Sequence, residues 1–135
     1  MGFAVLDLAE TSTTDAGLTE MAANRCPLLQ CIDLSGCRFI TASGVQEIIT
    51  HSPRLRILGL AMCPAARGSL FPIAHYGHNI EKLNLASNDW VTAQQVISVL
   101  DMCMRLTWID IRGCVNLRTL QLHKARVRII TDQRE

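Results

Sequence analysis

The chain has 135 residues, of which 49% are hydrophobic, 19% are charged and 4% are aromatic, and its formal net charge is +1. This length leaves room for one domain, and the apolar content argues against disorder. The small net charge argues against a globally basic nucleic-acid binder. Since no apolar run reaches the roughly 18 residues of a membrane-spanning helix, we expect an aliphatic core and no membrane insertion.

Six cysteines stand at positions 26, 31, 37, 63, 103 and 114. They form no Cys-x-x-Cys pair, which leaves a zinc ribbon or a redox pair unsupported. A disulfide scaffold is usually poor in aliphatic residues, whereas this chain is rich in them. The first residues lack a basic region, and Asp7 and Glu10 interrupt their apolar stretch, so no signal peptide is predicted. We therefore expect core thiols in a reducing compartment and an intracellular protein, cytoplasmic or nuclear.

One pattern recurs along the chain: Leu-x-x-Leu-x-Leu-x-x-Cys/Asn, with other aliphatic residues allowed. Its matches start at residues 3, 29, 55, 80 and 106. Each Leu-x-Leu predicts a short strand whose alternate side chains face inward. One repeat cannot bury its own apolar face, but stacked repeats can. We predict an α/β leucine-rich-repeat solenoid of about five repeats of 25–26 residues, a single domain over 1–135, with parallel concave strands and convex helices.

Helices are expected to follow the strands of the first, second and fourth repeats. Thr14, Thr41 and Thr92 stand where a threonine side chain caps a first turn. Pro27 and Pro53 follow the first two helices and prevent their continuation. The side chains predicted to pack these helices on the sheet are Leu18, Met21, Ala22, Val45, Ile48, Ile49, Val96, Val99 and Leu100.

The third repeat departs from this pattern. Pro64, Gly68 and Pro72 interrupt residues 64–79. A short helix is expected around Phe71–Tyr76, with Pro72 in its first turn.

The two ends of the array are expected to differ. The first strand begins at Phe3 with nothing before it to cover its edge. Excision from a longer protein, end-to-end association through this uncapped repeat, and fraying are the three alternatives. After the fifth repeat, a terminal strand is predicted at Leu117, Leu120 and Leu122. Residues 117–135 are expected to form a polar, basic cap. The alternation over Lys124–Ile129 predicts an edge strand whose charges discourage further pairing.

The ninth position of the pattern lies where the chain leaves each strand. A buried Cys or Asn there is expected to hydrogen-bond the turning backbone and to stack as a structural ladder. Its members are Cys37, Cys63, Asn88 and Cys114, with Thr11 as a weaker first member. Two residues beyond this position, Phe39 and Trp90 are expected to pack at the rim between strand and helix.

The segment Cys26–Val45 reads Cys-Pro-x-Leu-x-x-Ile-Asp-Leu-Ser-Gly-Cys-x-x-Ile-Thr-x-x-Gly-Val. It resembles the cysteine-containing leucine-rich repeats of F-box substrate receptors in cullin ubiquitin ligases. That family pairs its repeats with an F-box, which is not visible in this sequence, and similar repeats occur in proteins without one. The resemblance implies protein recognition, with substrate recognition for a ubiquitin ligase as its narrower form.

Positions 3, 5 and 7 of each repeat are expected to face the concave surface. Trp108 is the leading anchor candidate, because tryptophan is enriched among interface hot spots; the alternative is packing beneath the terminal segment near Thr119. Asp33 and Asp110 are candidates for a basic partner, and turn formation is their alternative role. Cys31 is expected to be the most accessible thiol. The predicted binding residues are Trp108, Asp33, Asp110, Asp7, Asn84, Lys82, Ile57 and Arg112.

Sequence motifs for catalysis do not appear, so no enzyme and no cofactor are predicted. His75, His78 and Cys63 offer three zinc ligands where four converge in a structural site, so no metal is predicted. The expected partner is another protein and not nucleic acid. The alternatives are a structural subunit of a larger assembly and, less favoured, a small-GTPase regulator resembling the leucine-rich-repeat activators of Ran, whose repeats are longer.

Overall fold

The computed structural model describes residues 4–117 and 122–132, apart from the side chains of residues 24–26. Within these residues, six short strands form one sheet whose spatial order follows the chain. All neighbouring strands are parallel. The strands β1 to β6 are Ala4–Asp7, Leu29–Asp33, Ile57–Gly59, Lys82–Asn84, Trp108–Asp110 and Arg128–Ile130. The helices α1 to α4 are Asp15–Arg25, Ala42–Thr50, Leu70–Tyr76 and Ala93–Met102.

The register of the sheet joins equivalent positions of successive repeats. The central strand residues that pair across the sheet are Leu6, Ile32, Leu58, Leu83 and Ile109. All of them pack in or against the core, between the sheet and the helices. Because side chains alternate along a strand, the residues on either side of each core residue point away from the helices. The protein is thus α/β, with parallel strands and helices in an arrangement compatible with a leucine-rich-repeat solenoid.

The helices form a second layer in which α1 contacts α2, α2 contacts α3, and α3 contacts α4. Thr41 caps α2 by accepting a hydrogen bond from the Ser43 N–H, and Thr92 forms a capping box with Gln95 at α4. The predicted core residues of α2 and α4 are all buried. The predicted short helix of the third repeat is present as α3, with Pro72 buried in its first turn.

The C-terminal segment differs from its prediction. Leu117 ends a short 3-10 helix instead of starting a strand, and residues 118–121, including Leu120, lie outside the described residues. Lys124 and Val127 form an isolated antiparallel bridge, and only then does the chain enter β6. The sixth strand therefore lies later in the chain than Leu117–Leu122, and it covers only the end of the expected edge strand.

Arg126 attaches the turn before β6 to the end of α4. Its guanidinium Nη2 donates hydrogen bonds of 2.8 Å to the carbonyl oxygens of Leu100 and Cys103, and its Nε donates one of 3.1 Å to Met104. These carbonyls lie at the end of α4, where a helix leaves its last acceptors unpaired. The basic cap is thus attached to the last helix, and the strand follows from there.

Three ladder cysteines lie buried at the turns that follow the strands. The Sγ atoms of Cys37, Cys63 and Cys114 donate to main-chain carbonyl oxygens of the preceding repeat at 3.1, 3.1 and 3.2 Å. The acceptors are Leu8, Leu34 and Leu85. Each thiol is a second donor to its carbonyl, which also accepts a hydrogen bond within its own repeat, so the bond links two repeats close to the core.

Asn88 takes the place of a cysteine in the fourth repeat and makes more contacts. Its Nδ2 donates to the carbonyls of Leu60 and Leu85 at 2.7 and 3.1 Å, and its Oδ1 accepts from the Cys63 N–H at 2.9 Å. Trp90 Nε1 donates to the Cys63 carbonyl at 2.9 Å. Asn88 and Trp90 together satisfy both main-chain groups of Cys63.

The expected rim packing holds for one of the two aromatic residues. Trp90 is 2% exposed, whereas Phe39, its equivalent in the second repeat, is 58% exposed. The prediction is therefore wrong for Phe39. The indole N–H binds a main-chain carbonyl at this place, and phenylalanine has no polar atom to make that bond.

The residue just before each ladder position has a left-handed backbone. The φ angles of Glu10, Gly36, Met62, Ser87 and Gly113 are 60°, 79°, 53°, 62° and 72°. The N–H groups of the first four donate to carbonyls of the next repeat at 2.7–3.0 Å. The turn thereby extends the inter-repeat hydrogen bonds beyond the strands, in a conformation that only glycine adopts without strain.

Replacing Met62 by glycine is expected to raise the free energy of unfolding by about 0.5–1 kcal/mol, because left-handed strain is relieved at a largely exposed side chain. The matched change Gly36→Ala is expected to lower it, since a Cβ there lies 2.9 Å from Glu10 Cγ. Urea unfolding followed by circular dichroism measures both. A lower stability for Met62→Gly contradicts the strain argument.

Substituting Asn88 by alanine is expected to lower the free energy of unfolding by about 3 kcal/mol, since it leaves buried main-chain groups unpaired. Asn88→Cys is the control, because a thiol keeps the donor that the other ladder positions use, and its loss is expected to be smaller. Chemical unfolding of both variants tests this order, and equal losses contradict it.

Candidate functional site

The face of the sheet turned away from the helices is called here the open face, and two columns of side chains form it. The first column, which follows the strand register, is Val5, Cys31, Ile57, Lys82, Trp108 and Arg128. The second column is Asp7, Asp33, Gly59, Asn84, Asp110 and Ile130. Seven of the eight predicted binding residues belong to these columns, and Arg112 follows just after β5.

The polar residues of the second column form turns. The Oδ1 atoms of Asp7, Asp33, Asn84 and Asp110 each accept a hydrogen bond of 3.0 Å from the N–H two residues later. An Asx turn of this kind holds the backbone as it leaves a strand. The turn role that was the alternative for Asp33 and Asp110 is therefore present, and it extends to Asp7 and Asn84.

Asp110 does not offer a free carboxylate. Its side chain is 2% exposed, and its Oδ2 accepts from Arg112 Nη2 at 2.7 Å. Arg112 Nε lies 3.1 and 3.2 Å from the two carboxylate oxygens. This corrects the expectation that Asp110 recognises a basic partner, because Arg112 already neutralises the buried charge. The same pairing raises the pKa of the Arg112 guanidinium.

A groove with a volume of about 490 Å³ lies on the open face. Gly59 is part of its lining, between Asp33 and Asn84 in the second column. A Cβ at Gly59 would overlap Asp33 Oδ1, so the glycine leaves the space in which this carboxylate lies. The side chains around it are Cys31, Asp33, Ile57, Lys82, Asn84 and Trp108. Most of the predicted binding residues thus line one depression.

Trp108 lies half-buried in the first column, between two cations. Lys82 and Arg128 pair with it in register on the neighbouring strands, and both are exposed. The alternative packing site near Thr119 lies outside the described residues. Sequence reasoning missed Arg128 as a member of this face because it placed the terminal strand too early. The alternation of charged and apolar residues over Lys124–Ile129 was the signal for it.

Cys31 is the half-exposed cysteine among the thiols that the structure describes, and the others are buried. Burial raises the pKa of the Cys31 thiol, and the nearby Asp33 carboxylate raises it further. Burial also raises the pKa values of Cys63 and Cys103 to about 11. These thiols therefore stay neutral at physiological pH.

In a Cys26→Ser background, iodoacetamide is expected to modify Cys31 before Cys63 or Cys103. The thiolate is the nucleophile, and a raised pKa leaves it scarce near pH 8, so the rate should increase with pH toward 10. Timed alkylation with peptide mass spectrometry measures the order, and urea-unfolded protein gives the unprotected rate. Modification of Cys63 or Cys103 as fast as Cys31 contradicts the described burial.

None of the helices in the described ranges combines the length and apolar character needed to cross a bilayer. Comparison with models of known protein families gives no match.

Among curated proteins, the chain is similar to F-box/LRR-repeat protein 4 of Bos taurus, with 32% identity over 89 residues. The alignment covers 64% of this chain and 14% of that protein, so the chain spans a small part of the relative's length. This similarity, together with the parallel strands and the helices, bears out the predicted resemblance to leucine-rich-repeat proteins of the F-box/LRR type.

Proposed function

We propose that this chain is a protein-interaction module, not an enzyme, and that it binds a partner protein through the open face. The observation that carries this proposal is the groove lined by Ile57, Lys82 and Trp108. The ladder side chains and the Asx turns hold the fold together. By contrast, the side chains of these three residues form no ion pair or hydrogen bond among the described residues.

The chemistry of the groove suits protein binding. A tryptophan beside an aliphatic side chain gives an apolar centre, and exposed charges around it give a polar rim. Short strands joined by inter-repeat hydrogen bonds hold these side chains in place before a partner arrives, which lowers the entropic cost of association. The similarity to a protein named for its leucine-rich repeats also favours an interaction role.

Substrate recognition for a ubiquitin ligase is the second candidate, and the relative's name, which includes an F-box, favours it. In that role, the partner held by the open face is the substrate. Its test is whether a cullin adaptor co-purifies with the protein and whether ubiquitination of the captured partner increases when the protein is added to lysate. If the protein captures a partner but neither result is seen, protein binding without a role in ubiquitin ligation is the remaining proposal.

Capture of a partner protein from lysate by this chain is expected to depend on the side chains at the centre of the groove. The double variant Ile57→Glu/Trp108→Ala should weaken binding of the partner by roughly thirtyfold or more, the loss of a hot spot worth about 2 kcal/mol. Quantitative mass spectrometry of the captured proteins measures this. An unchanged circular dichroism melt must first show that the variant is folded.

The control is Phe71→Ala, which removes an aromatic side chain that is 63% exposed on α3, in the helical layer. This variant should capture the partner as the wild type does. If Phe71→Ala loses the partner and the double variant keeps it, binding occurs through the helical layer, as in a structural subunit of a larger assembly. If both variants keep it, the open-face proposal is wrong.

A further inference from the structure

The charged side chains of the open face are segregated along the sheet. Asp7 and Asp33 lie on β1 and β2, whereas Lys82 and Arg128 lie on β4 and β6. Asp7, Lys82 and Arg128 are exposed, and Asp33 is partly exposed. Among the described residues, none of these four side chains forms an ion pair.

The unpaired acidic and basic side chains of the open face are more completely separated in the structure than the sequence alone indicates. Asp110 would place a negative charge in the basic half, but Arg112 neutralises it by a close ion pair. In the acidic half, Asp7 and Asp33 each use Oδ1 for a turn, and their Oδ2 atoms accept no hydrogen bond within the described residues. Each end of the face therefore keeps charges that the fold itself does not pair.

We propose that the open face binds an extended partner segment of matching polarity, with a basic residue over Asp7 and Asp33 and an acidic residue over Lys82 and Arg128. This inference rests on the proposed function and gives the chemistry of the partner. Opposite charges on both ends fix the direction of the segment and disfavour partners of uniform charge.

The strand spacing sets the distance between the two charges of the partner. The centres of the acidic and basic ends lie about three and a half strands apart, or about 17 Å at the usual spacing of parallel strands. An extended peptide advances about 3.3 Å per residue, so its charged residues should be separated by about four to five residues.

The middle of the segment is expected to be apolar. Ile57 on β3 lies between the charged ends, and Cys31 adjoins it in the first column. One aliphatic side chain of the partner contacts Ile57, and an apolar or aromatic neighbour of the acidic residue contacts Trp108. A nucleic-acid strand is disfavoured, because its phosphates meet Asp7 and Asp33 at one end.

A peptide array tests the proposal with the full chain as the probe. The peptides carry a Lys-Lys pair and a Glu-Glu pair separated by one to seven residues of Leu, Ala and Gly, in both directions. Scrambled, all-basic and all-acidic peptides are included, together with a thymidine oligonucleotide. The expected optimum is about three intervening residues, which places the centres of the two charged pairs about five residues apart, with the scrambled peptide bound about tenfold more weakly by fluorescence anisotropy.

The variant Lys82→Glu/Arg128→Glu makes the whole face acidic and should shift its preference to all-basic peptides. The control Arg54→Glu/Arg67→Glu has the same change in net charge at exposed positions outside the open face, and it should keep the wild-type preference. Circular dichroism melts check that both variants are folded.

The inference is overturned if peptides bind equally well whatever their charge order, or if the oligonucleotide is preferred. Self-association of the chain that displaces the peptides also overturns it. If lysate capture still depends on Ile57 and Trp108 in that case, the proposed function stands and only the bipolar partner is wrong. If that capture is also independent of these residues, the proposed function fails as well.

Discussion

The main-chain groups that leave each strand need partners, and the fold depends on how they find them. At this point the chain must turn away from the sheet while its carbonyls and N–H groups are close to the core. The neighbouring repeat supplies the partners, through Sγ of Cys37, Cys63 and Cys114 on one side and the N–H of the left-handed residue on the other. An isolated repeat lacks both sets of hydrogen bonds, so stacking of the repeats is favoured.

The open face is a consequence of this arrangement. Helices cover one side of the sheet. The ladder side chains and the Asx turns form hydrogen bonds with main-chain groups at its edge. The first column is left with side chains that do not support the backbone, among them Ile57, Lys82 and Trp108. Because the strands are short and in register, these side chains stand at regular spacing on a rigid surface. The proposed binding site is therefore formed by residues whose side chains make no hydrogen bond or ion pair within the described residues.

The periodic features of the protein could be predicted from the sequence, because they depend on spacing. The strands, the caps at Thr41 and Thr92, and the columns of the open face all follow from the repeat period. The predictions that were wrong concern features that depend on individual contacts. The pairing of Asp110 with Arg112 depends on the side-chain conformation of Arg112, and Phe39 cannot make the main-chain hydrogen bond that Trp90 makes. The turn before β6 is attached to the end of α4 by Arg126, a contact that no repeat pattern encodes.

The register of the sheet also affects how amino-acid substitutions alter the open face. Each strand contributes one side chain to the first column, and its neighbours in that column belong to the adjacent repeats alone. Side chains on β2 and β5 are separated by two intervening strands, so the effects of substitutions there on the free energy of unfolding should combine nearly additively. A change of side chain on one strand can therefore alter the open face locally, with its direct contacts in the column confined to the adjacent repeats.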